Sequence, residues 1–229
     1  MVSQSLLAAM NTVSDDYMIH SCHCYFVLAG SGDIPIYYYV ERIRDGKSFV
    51  TRTVNARQRG RTIFTAICSF HRPEPAWLEH GPTMPNVPPP EELETDKQKL
   101  ERALKNGDIS EEELNTRLDD AELDPIEWRH VNGGPRRLPL NTDGRPPIQI
   151  YKLGWVRAKG PISSNGMKAH VMALAYLSDT WFIRTALSSH GKSTPPKGGM
   201  VVSLDHSIYF HRPFRADEWL LNESRCPGK

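Results

Sequence analysis

One order of elements occurs twice along the chain, a helix followed by a strand that carries the pair Tyr-Phe. The first pair is Tyr25-Phe26 and the second is Tyr209-Phe210, 184 residues later. Two matching aromatic residues are weak evidence alone, but the same helix-then-strand order around both makes a duplication credible. The chain is therefore expected to hold two copies of a helix packed on an antiparallel sheet, which is an α+β arrangement.

The first copy has a clear change of hydrophobic period. Leu6, Leu7 and Met10 have helical spacing, which predicts a helix over Gln4–Val13. From Tyr17 the period becomes two, and the Asp45-Gly46 pair is a strong hairpin signal. An antiparallel meander is predicted from four segments: HSCHCYFVLAG, IPIYYYVERIR, SFVTRTVNAR and TIFTAICSFHR.

The second copy begins with irregular chain and short extended pieces, among them PIQIYKLGWVRAK. An apolar run then predicts a long and largely buried helix over Met167–His190. GGMVVSLDHSIYFHRPF is predicted to be the next strand, and DEWLLNES begins another.

A proline-rich linker and an acidic insert separate the two copies. The linker contains Pro82, Pro85, Pro88, Pro89 and Pro90, so it can neither continue a helix nor join a central strand. Glu91–Asp124 has 13 acids and 5 bases and is predicted to form two short helices broken at Asn106-Gly107.

Ser110 and Glu113 are expected to form a capping box at the start of the second of these helices. The alternating Asp/Asn ligands of a calcium loop are missing, which favours a solvated insert over a metal or partner site. The predicted divisions are a first repeat over 1–81, the linker and insert over 82–125, and a second repeat over 126–229.

Composition excludes several classes of protein. The net charge of +1 argues against a dedicated nucleic-acid binder, and no apolar run reaches the ~20 residues that span a bilayer. Four cysteines are too few for a disulfide scaffold, which favours a reducing compartment. The start of the chain lacks the basic and apolar regions of a secretory signal. A soluble intracellular protein is expected.

The second copy also carries a specific signature. HVMALAYLSDTWFIRTAL followed by VVSLDHSIYFHRPFRADEWLL resembles the acyl-CoA thioesterase II family, the peroxisomal and bacterial acyl-CoA hydrolases. The first copy, SLLAAMNTVSDDYMIHSCHCYFVLAGSGDIPIYYYVERIRDGKSF, is similar to that family's first repeat. The resemblance covers Met1 to about Arg72 and about Ile126 to Leu221. It implies a double hotdog fold and hydrolysis of fatty acyl-CoA to free fatty acid and coenzyme A.

The sequence departs from this pattern at both ends. Family members begin with an earlier strand and a Gly-rich turn, and they continue after the WLL segment into strands with a catalytic Gln in a QEG-like segment. This chain ends NESRCPGK, and its glutamines (Gln4, Gln58, Gln98 and Gln149) lie in no such motif. The second repeat is therefore expected to be incomplete, and the chain to be poorly soluble or oligomeric and slower than longer relatives.

The resemblance implies roles for particular residues. Asp205 in SLDHS is the carboxylate that activates water, and Ser224 is the nearest hydroxyl to the position of its Ser/Thr partner. For Asp205 the alternative is a surface acid paired with a nearby base, and for Ser224 it is a frayed tail. In the alignment of the repeats Ser21 takes the place of Asp205, so at most one active centre per chain is expected.

Two other groups of side chains have alternative interpretations. His20, Cys22 and Cys24 share one face of a strand by period two, which suits core packing better than a metal site or a Cys-His nucleophile. Arg57, Arg59 and Arg61 flank a glycine turn, where they are either solvated or attract the phosphates of coenzyme A.

Two function classes follow. The first is an acyl-CoA hydrolase with no metal or nucleotide cofactor, acyl-CoA as its substrate, and no nucleic-acid or membrane-spanning role. The second is a shortened, catalytically weak or silent relative that binds acyl-CoA or a partner. The resemblance implies a peroxisomal location, although Pro227-Gly228-Lys229 is unlike a Ser-Lys-Leu address; a cytoplasmic location is the alternative.

Overall fold

The computed structural model of the protein describes residues 1–75, 77–131, 149–162, 166–189 and 201–227. Four parts of the segments named in the sequence lie outside these residues: residues 147–148, His190, residues 198–200, and Gly228-Lys229. The chain forms two compact units. The first contains Met1–Pro82, Ser163–Thr180 and Met200–Arg215, and the second contains Thr83–Ile162, Trp181–Gly199 and Ala216–Lys229. The division into repeats stays a prediction, because compact units do not report ancestry.

The first unit contains a five-stranded antiparallel sheet. Its elements are α1 (Val2–Met10), β1 (Met18–Phe26), β2 (Tyr37–Asp45), β3 (Phe49–Gln58), β4 (Arg61–His71) and β7 (Asp205–Tyr209), together with the first part of α4 (Gly166–Ser189). The strand order is β2-β3-β4-β1-β7. The predicted helices are present, with α1 beginning and ending a few residues earlier than expected. The predicted four-strand meander is only partly correct: β2, β3 and β4 pair in sequence order, but β1 pairs with β4 and not with β2. Residues 27–36, which connect β1 to β2, are longer than a hairpin loop, so β2 need not lie beside β1.

One face of this sheet is the core, and the other is open. The alternation in β3 and β4 buries Val54, Phe64 and Phe70 against the helices, with Leu6 of α1 and Ala175 of α4 in the same cluster. The residues between them point to the opposite face. That face carries exposed apolar side chains, listed with their exposed fractions: Tyr25 61%, Tyr37 63%, Tyr39 55%, Phe49 49%, Ile67 52% and Tyr209 60%.

The pairing of β1 with β7 joins a strand of the predicted second repeat to the sheet of the first. The strands are antiparallel, with Ser21 opposite Tyr209 and Tyr25 opposite Asp205. The middle pair is His23 and Ser207, which are themselves 184 residues apart. The spacing that aligns the two Tyr-Phe pairs is thus the spacing across the centre of this ladder. β1 and β7 are therefore related by a local two-fold axis that passes between His23 and Ser207.

A β-bulge near the start of β1 overturns one expectation. The register of β1 against β4 shifts between Ile19 and Ser21, so His20 turns away from the face that Cys22 occupies. The His20 ring bonds the Ser69 hydroxyl at 2.8 Å and contacts Phe49 on the open side. The prediction that His20 shares a face with the two cysteines is therefore wrong, because period two does not continue through a bulge.

The second unit is built on a three-stranded antiparallel sheet in the order β5-β6-β8. Its elements are α2 (Asp96–Lys105), α3 (Glu111–Leu123), β5 (Ile126–His130), β6 (Gln149–Ala158) and β8 (Leu220–Pro227), with a short 3₁₀ turn at Pro90–Glu92. The acidic insert thus forms the two predicted helices. Among the described residues, no helix is both long enough and apolar enough to cross a membrane.

Side chains cap both insert helices. The Ser110 hydroxyl accepts a hydrogen bond from the Glu113 amide at 3.2 Å, which is half of the predicted capping box; the Glu113 carboxylate pairs with Arg117. A complete capping box, not anticipated from the sequence, starts α2, where Thr95 and Gln98 each accept from the other's backbone amide.

Arg52 fixes the end of α1 to the sheet. This side chain on β3 is 2% exposed. Its guanidinium donates to the Thr12 hydroxyl at 2.8 Å and to the Thr12 carbonyl at 3.1 Å. It also donates to the carbonyls of Arg44 and Thr51, at 3.0 and 2.9 Å, and pairs with the Asp45 carboxylate. One buried guanidinium therefore donates hydrogen bonds both to the segment that follows α1 and to the β2–β3 hairpin.

Replacing Arg52 with Met should lower the free energy of unfolding by about 2–4 kcal/mol, because buried carbonyl groups lose their donor. Arg57→Met on the exposed side of the same strand should change it by no more than about 0.5 kcal/mol. Urea unfolding followed by circular dichroism measures both. Equal stabilities of the two variants would contradict this role of Arg52.

Candidate active site

Asp205 is the first residue of β7 and lies on the open face of the five-stranded sheet, exposed to solvent. Backbone hydrogen bonds join Phe26 to Leu204 at 2.9 Å and Phe210 to His20 at 2.8 Å. The hydrogen-bonded pairs of this ladder therefore contain the even-numbered residues of β1. Tyr25 and Asp205 form a non-hydrogen-bonded pair, in which the two side chains lie closer together than in a hydrogen-bonded pair. Within the described part of the chain, no hydrogen bond or ion pair engages the Asp205 carboxylate.

A row of side chains crosses the open face from Asp205. Tyr25 lies next to it on β1, followed by Thr65 on β4 and Asn55 on β3. Tyr25 is therefore flanked by a carboxylate on one side and by a hydroxyl on the other. The alternative interpretation of Asp205 as a surface acid paired with a base finds no ion pair among the described residues.

Gln58 forms hydrogen bonds to the loop over residues 27–36, which follows β1. Its amide nitrogen donates to the carbonyls of Ser31 and Ile34, at 2.8 and 2.7 Å, and its oxygen accepts from the Ser31 amide at 2.9 Å. Gln58 is 6% exposed, so its side-chain amide has little access to water. The loop after Phe26, which begins opposite Leu204, is thereby fixed. Sequence reasoning assigned no role to this glutamine.

Ser224 belongs to the second unit. It lies within β8, opposite Lys152 of β6, so this residue is part of a regular strand and not of a frayed tail. It is 8% exposed, and its hydroxyl accepts a hydrogen bond from the Asn222 amide nitrogen at 3.1 Å. Asp205 belongs to the first unit.

Ser21 occupies the position that corresponds to Asp205 in the first repeat. It faces Tyr209 across the β1–β7 ladder and is 7% exposed. The two ends of the ladder therefore differ in chemistry and in access. One presents an exposed carboxylate, and the other presents a largely buried hydroxyl.

The cysteines predicted to pack in the core do so. Cys22 and Cys24 are buried and free, and so is Cys68, for which no prediction was made from the sequence. The Cys68 thiol donates to the Cys22 sulfur at 3.8 Å, and the Cys24 thiol donates to the His206 carbonyl at 3.2 Å. The described residues contain no group of three or more side chains that could hold a metal ion.

Neighbouring thiols and burial set the ionisation of this cluster. The Cys24 thiol lowers the pKa of Cys22, but the hydrogen bond with Cys68 and burial outweigh that effect, so the pKa of Cys22 is raised. The Cys22 thiol, followed by burial, raises the pKa of Cys24. Both thiols are therefore poor nucleophiles.

The arginines around the β3–β4 turn are exposed. Arg59 and Gly60 both have positive φ, of 48° and 74°, as in the tight turns that join twisted hairpin strands. Arg57 lies over the Tyr39 ring, with 5.1 Å between the guanidinium carbon and the ring centroid. Arg59 and Arg61 extend into solvent.

A cavity of about 1200 Å³ lies elsewhere in the first unit, and sequence reasoning did not anticipate it. It is bounded by the end of α1, the start of α4 and the segment after β7, with Met10, Ile19, Met167 and Phe210 among its apolar walls. Neither Asp205 nor Ser224 lines it.

Comparison with known sequences places this chain among thioesterases. The family model for the acyl-CoA thioesterase N-terminal domain matches residues 1–71, and the one for the C-terminal domain matches residues 104–228. Acyl-coenzyme A thioesterase 8 of Rattus norvegicus is 42% identical over 99% of this chain and 68% of its own length. Peroxisomal acyl-coenzyme A thioester hydrolase 1 of Saccharomyces cerevisiae is 28% identical over 96% of this chain and 73% of its own length.

Solved structures agree with this assignment. The acyl-CoA thioesterase II TesB2 from Mycobacterium marinum has a TM-score of 0.72 and 34% identity, over 96% of this chain and 73% of its own. A protein of Alicyclobacillus acidocaldarius described as having a hot dog fold gives a TM-score of 0.65 at 17% identity, over 93% of this chain and 66% of its own. The predicted hotdog fold is confirmed.

Cys22 and Cys24 should resist alkylation in the folded protein at pH 8, because burial and a raised pKa leave little accessible thiolate. Iodoacetamide should label them at least about 10²-fold more slowly than in urea, as followed by peptide mass spectrometry. Rapid labelling of either residue in the folded protein would show that this cluster is reactive.

Proposed function

The chain belongs to the acyl-CoA thioesterase II family, and on that premise we propose that Asp205 activates the water that attacks its substrate. The protein is an acyl-CoA thioester hydrolase with a hotdog fold. The substrate is acyl-CoA, and the products are a fatty acid and coenzyme A. The observation that carries the role of Asp205 is an exposed carboxylate, without a partner among the described residues, in the SLDHS motif.

The reaction needs one base and one acid. Asp205 accepts a proton from water while the water oxygen bonds to the thioester carbon, and the carbonyl oxygen takes up the negative charge. When the carbonyl forms again, the carbon–sulfur bond breaks and its electron pair leaves with sulfur. The proton held by Asp205 returns to the thiolate, which gives the carboxylic acid, the coenzyme A thiol and a regenerated carboxylate.

Ser224 is proposed as the hydroxyl that assists this carboxylate. The family resemblance supports this role, together with a hydroxyl that already takes part in a hydrogen bond with Asn222. Arg57, Arg59 and Arg61 are proposed to attract the phosphates of coenzyme A. Their exposure and their shared positive charge support this role, since such fields raise the local concentration of anions.

We also propose a peroxisomal location. The support is the family resemblance and the name of the yeast relative, which is a peroxisomal hydrolase.

A homo-oligomer completes the proposal, with a second copy covering the β2–β4 part of the open sheet face. This part carries Tyr37, Tyr39, Phe49 and Ile67, each about half exposed or more. Apolar patches of this kind on a soluble protein mark interaction surfaces. β7 is the edge strand at the other side of the sheet, so Asp205 would stay open to substrate.

Asp205→Asn should lower acyl-CoA turnover by at least about 10²-fold, because an amide keeps the shape of the carboxylate but cannot take a proton from water. The release of coenzyme A thiol from a medium- or long-chain acyl-CoA measures the rate. Asp119→Asn, an exposed acid on α3, is the matched control and should retain full turnover. Unchanged turnover in a folded Asp205→Asn protein would refute the assignment.

Ile67→Lys should convert the oligomer to a monomer, because a two-fold contact through this face would bring like charges together without partners. Light scattering on size-fractionated protein measures the mass. Leu123→Lys replaces an equally apolar residue on α3, 83% exposed and off this face, and should leave the mass unchanged. A monomeric unmodified chain would contradict the proposed contact.

A further inference from the structure

The β1–β7 ladder pairs each tyrosine of the Tyr-Phe repeat with the acid position of the other repeat. Tyr25, from the first repeat, faces Asp205 of the second. Tyr209, from the second, faces Ser21 of the first. This exchange follows from the local two-fold axis between His23 and Ser207. The candidate centre at Asp205 therefore draws side chains from both repeats.

We infer that Tyr25 is a further catalytic residue, whose phenol donates a hydrogen bond to the thioester carbonyl oxygen and stabilises the negative charge that develops there. This inference rests on the proposed role of Asp205. A carbonyl under attack by water at Asp205 needs a donor close to, but distinct from, the base. A neutral phenol supplies one donor and is longer than the aspartate beside it.

The position of Tyr25 meets these requirements. In a non-hydrogen-bonded antiparallel pair the Cα atoms are about 4.5 Å apart, and both side chains leave the same face of the sheet. Tyr25 is 61% exposed, and within the described part of the chain its hydroxyl has no hydrogen-bond partner. Tyr25 and Asp205 are thus exposed neighbours on one face of the sheet, where a substrate can reach both.

Exposed apolar side chains surround this pair and could contact the acyl chain of a thioester. Val27, Leu28 and Leu204, which follow Tyr25 or precede Asp205, are 50%, 39% and 72% exposed. They place accessible apolar surface at the same end of the ladder. The Gln58 contacts fix the loop that carries Val27 and Leu28, so the position of this surface relative to Tyr25 is set by the fold.

Tyr209, at the other end of the ladder, has no carboxylate opposite it. Its ring makes an edge contact with His23, with 5.4 Å between centroids, and stacks on His211 at 6.4 Å. Its cross-strand neighbour is the buried Ser21, which offers no carboxylate. Tyr209 has nearly the same exposure as Tyr25, at 60% against 61%. Tyr209 thus matches Tyr25 in exposure and in its position on the ladder but has no carboxylate opposite, which makes it a control for the loss of an exposed tyrosine hydroxyl.

The test compares two non-hydrolysable ligands of equal chain length. One is a 2-oxoalkyl-coenzyme A, which keeps the carbonyl, and the other is an alkyl-coenzyme A thioether, which lacks it. Calorimetry measures the binding of each to the full chain. Tyr25→Phe should weaken the ketone by about 2–12-fold, the value of one net hydrogen bond, and change the thioether by less than twofold. Tyr209→Phe should change neither.

Turnover supplies a second readout. Tyr25→Phe should lower kcat by about 10²-fold and leave KM within about threefold, since the bond strengthens as charge develops. Equal loss of both ligands, or no loss of the ketone, would overturn the role of Tyr25. If Asp205→Asn is inactive while Tyr25→Phe binds the ketone normally, the proposed function stands and the Tyr25 inference fails. If the unmodified chain binds neither ligand, both fail.

Discussion

The antiparallel pairing of β1 with β7 is the constraint on which the candidate site depends. Asp205 is the first residue of a five-residue strand, and the hydrogen bonds to β1 fix the position of this strand in the sheet. The ladder fixes which face of the sheet the carboxylate leaves from and which residue stands beside it. A slip of one residue would turn the carboxylate toward the helices, because side chains alternate with period two.

One face of this sheet forms the core, and the other carries the candidate site. The face toward the helices holds the apolar cluster and the buried thiols, whose raised pKa values suit packing and not chemistry. The opposite face holds Asp205, Tyr25 and the exposed aromatic residues. On the covered face, Arg52 anchors the end of α1 to β3 by donating to the carbonyls of Thr12, Arg44 and Thr51. The side chains of the open face thus stand on a sheet whose other face is packed against the helices.

Much of this architecture could be predicted from local patterns. The period change at Tyr17, the Asp45-Gly46 turn and the break at Asn106-Gly107 are local signals, and the elements on either side of each are present. The bulge at Ile19 leaves no such signal, so His20 was assigned to the wrong face. The neighbour of Asp205 could have been found only by combining the repeat spacing with an antiparallel edge. The bonds of Gln58 depend on a loop geometry that periodicity does not contain.

The shared ladder has a consequence for how such a gene can be divided. A centre built from one repeat alone would survive if the two halves were encoded separately, because each product would carry its own set of groups. Here the tyrosine precedes the linker and the aspartate follows it, so neither half contains both. With the roles proposed for Tyr25 and Asp205, separately encoded halves would have to reassociate through β1 and β7 to rebuild the centre. The covalent linker keeps these two edges at a high effective concentration, and a fission event would make the activity depend on the concentration of both fragments.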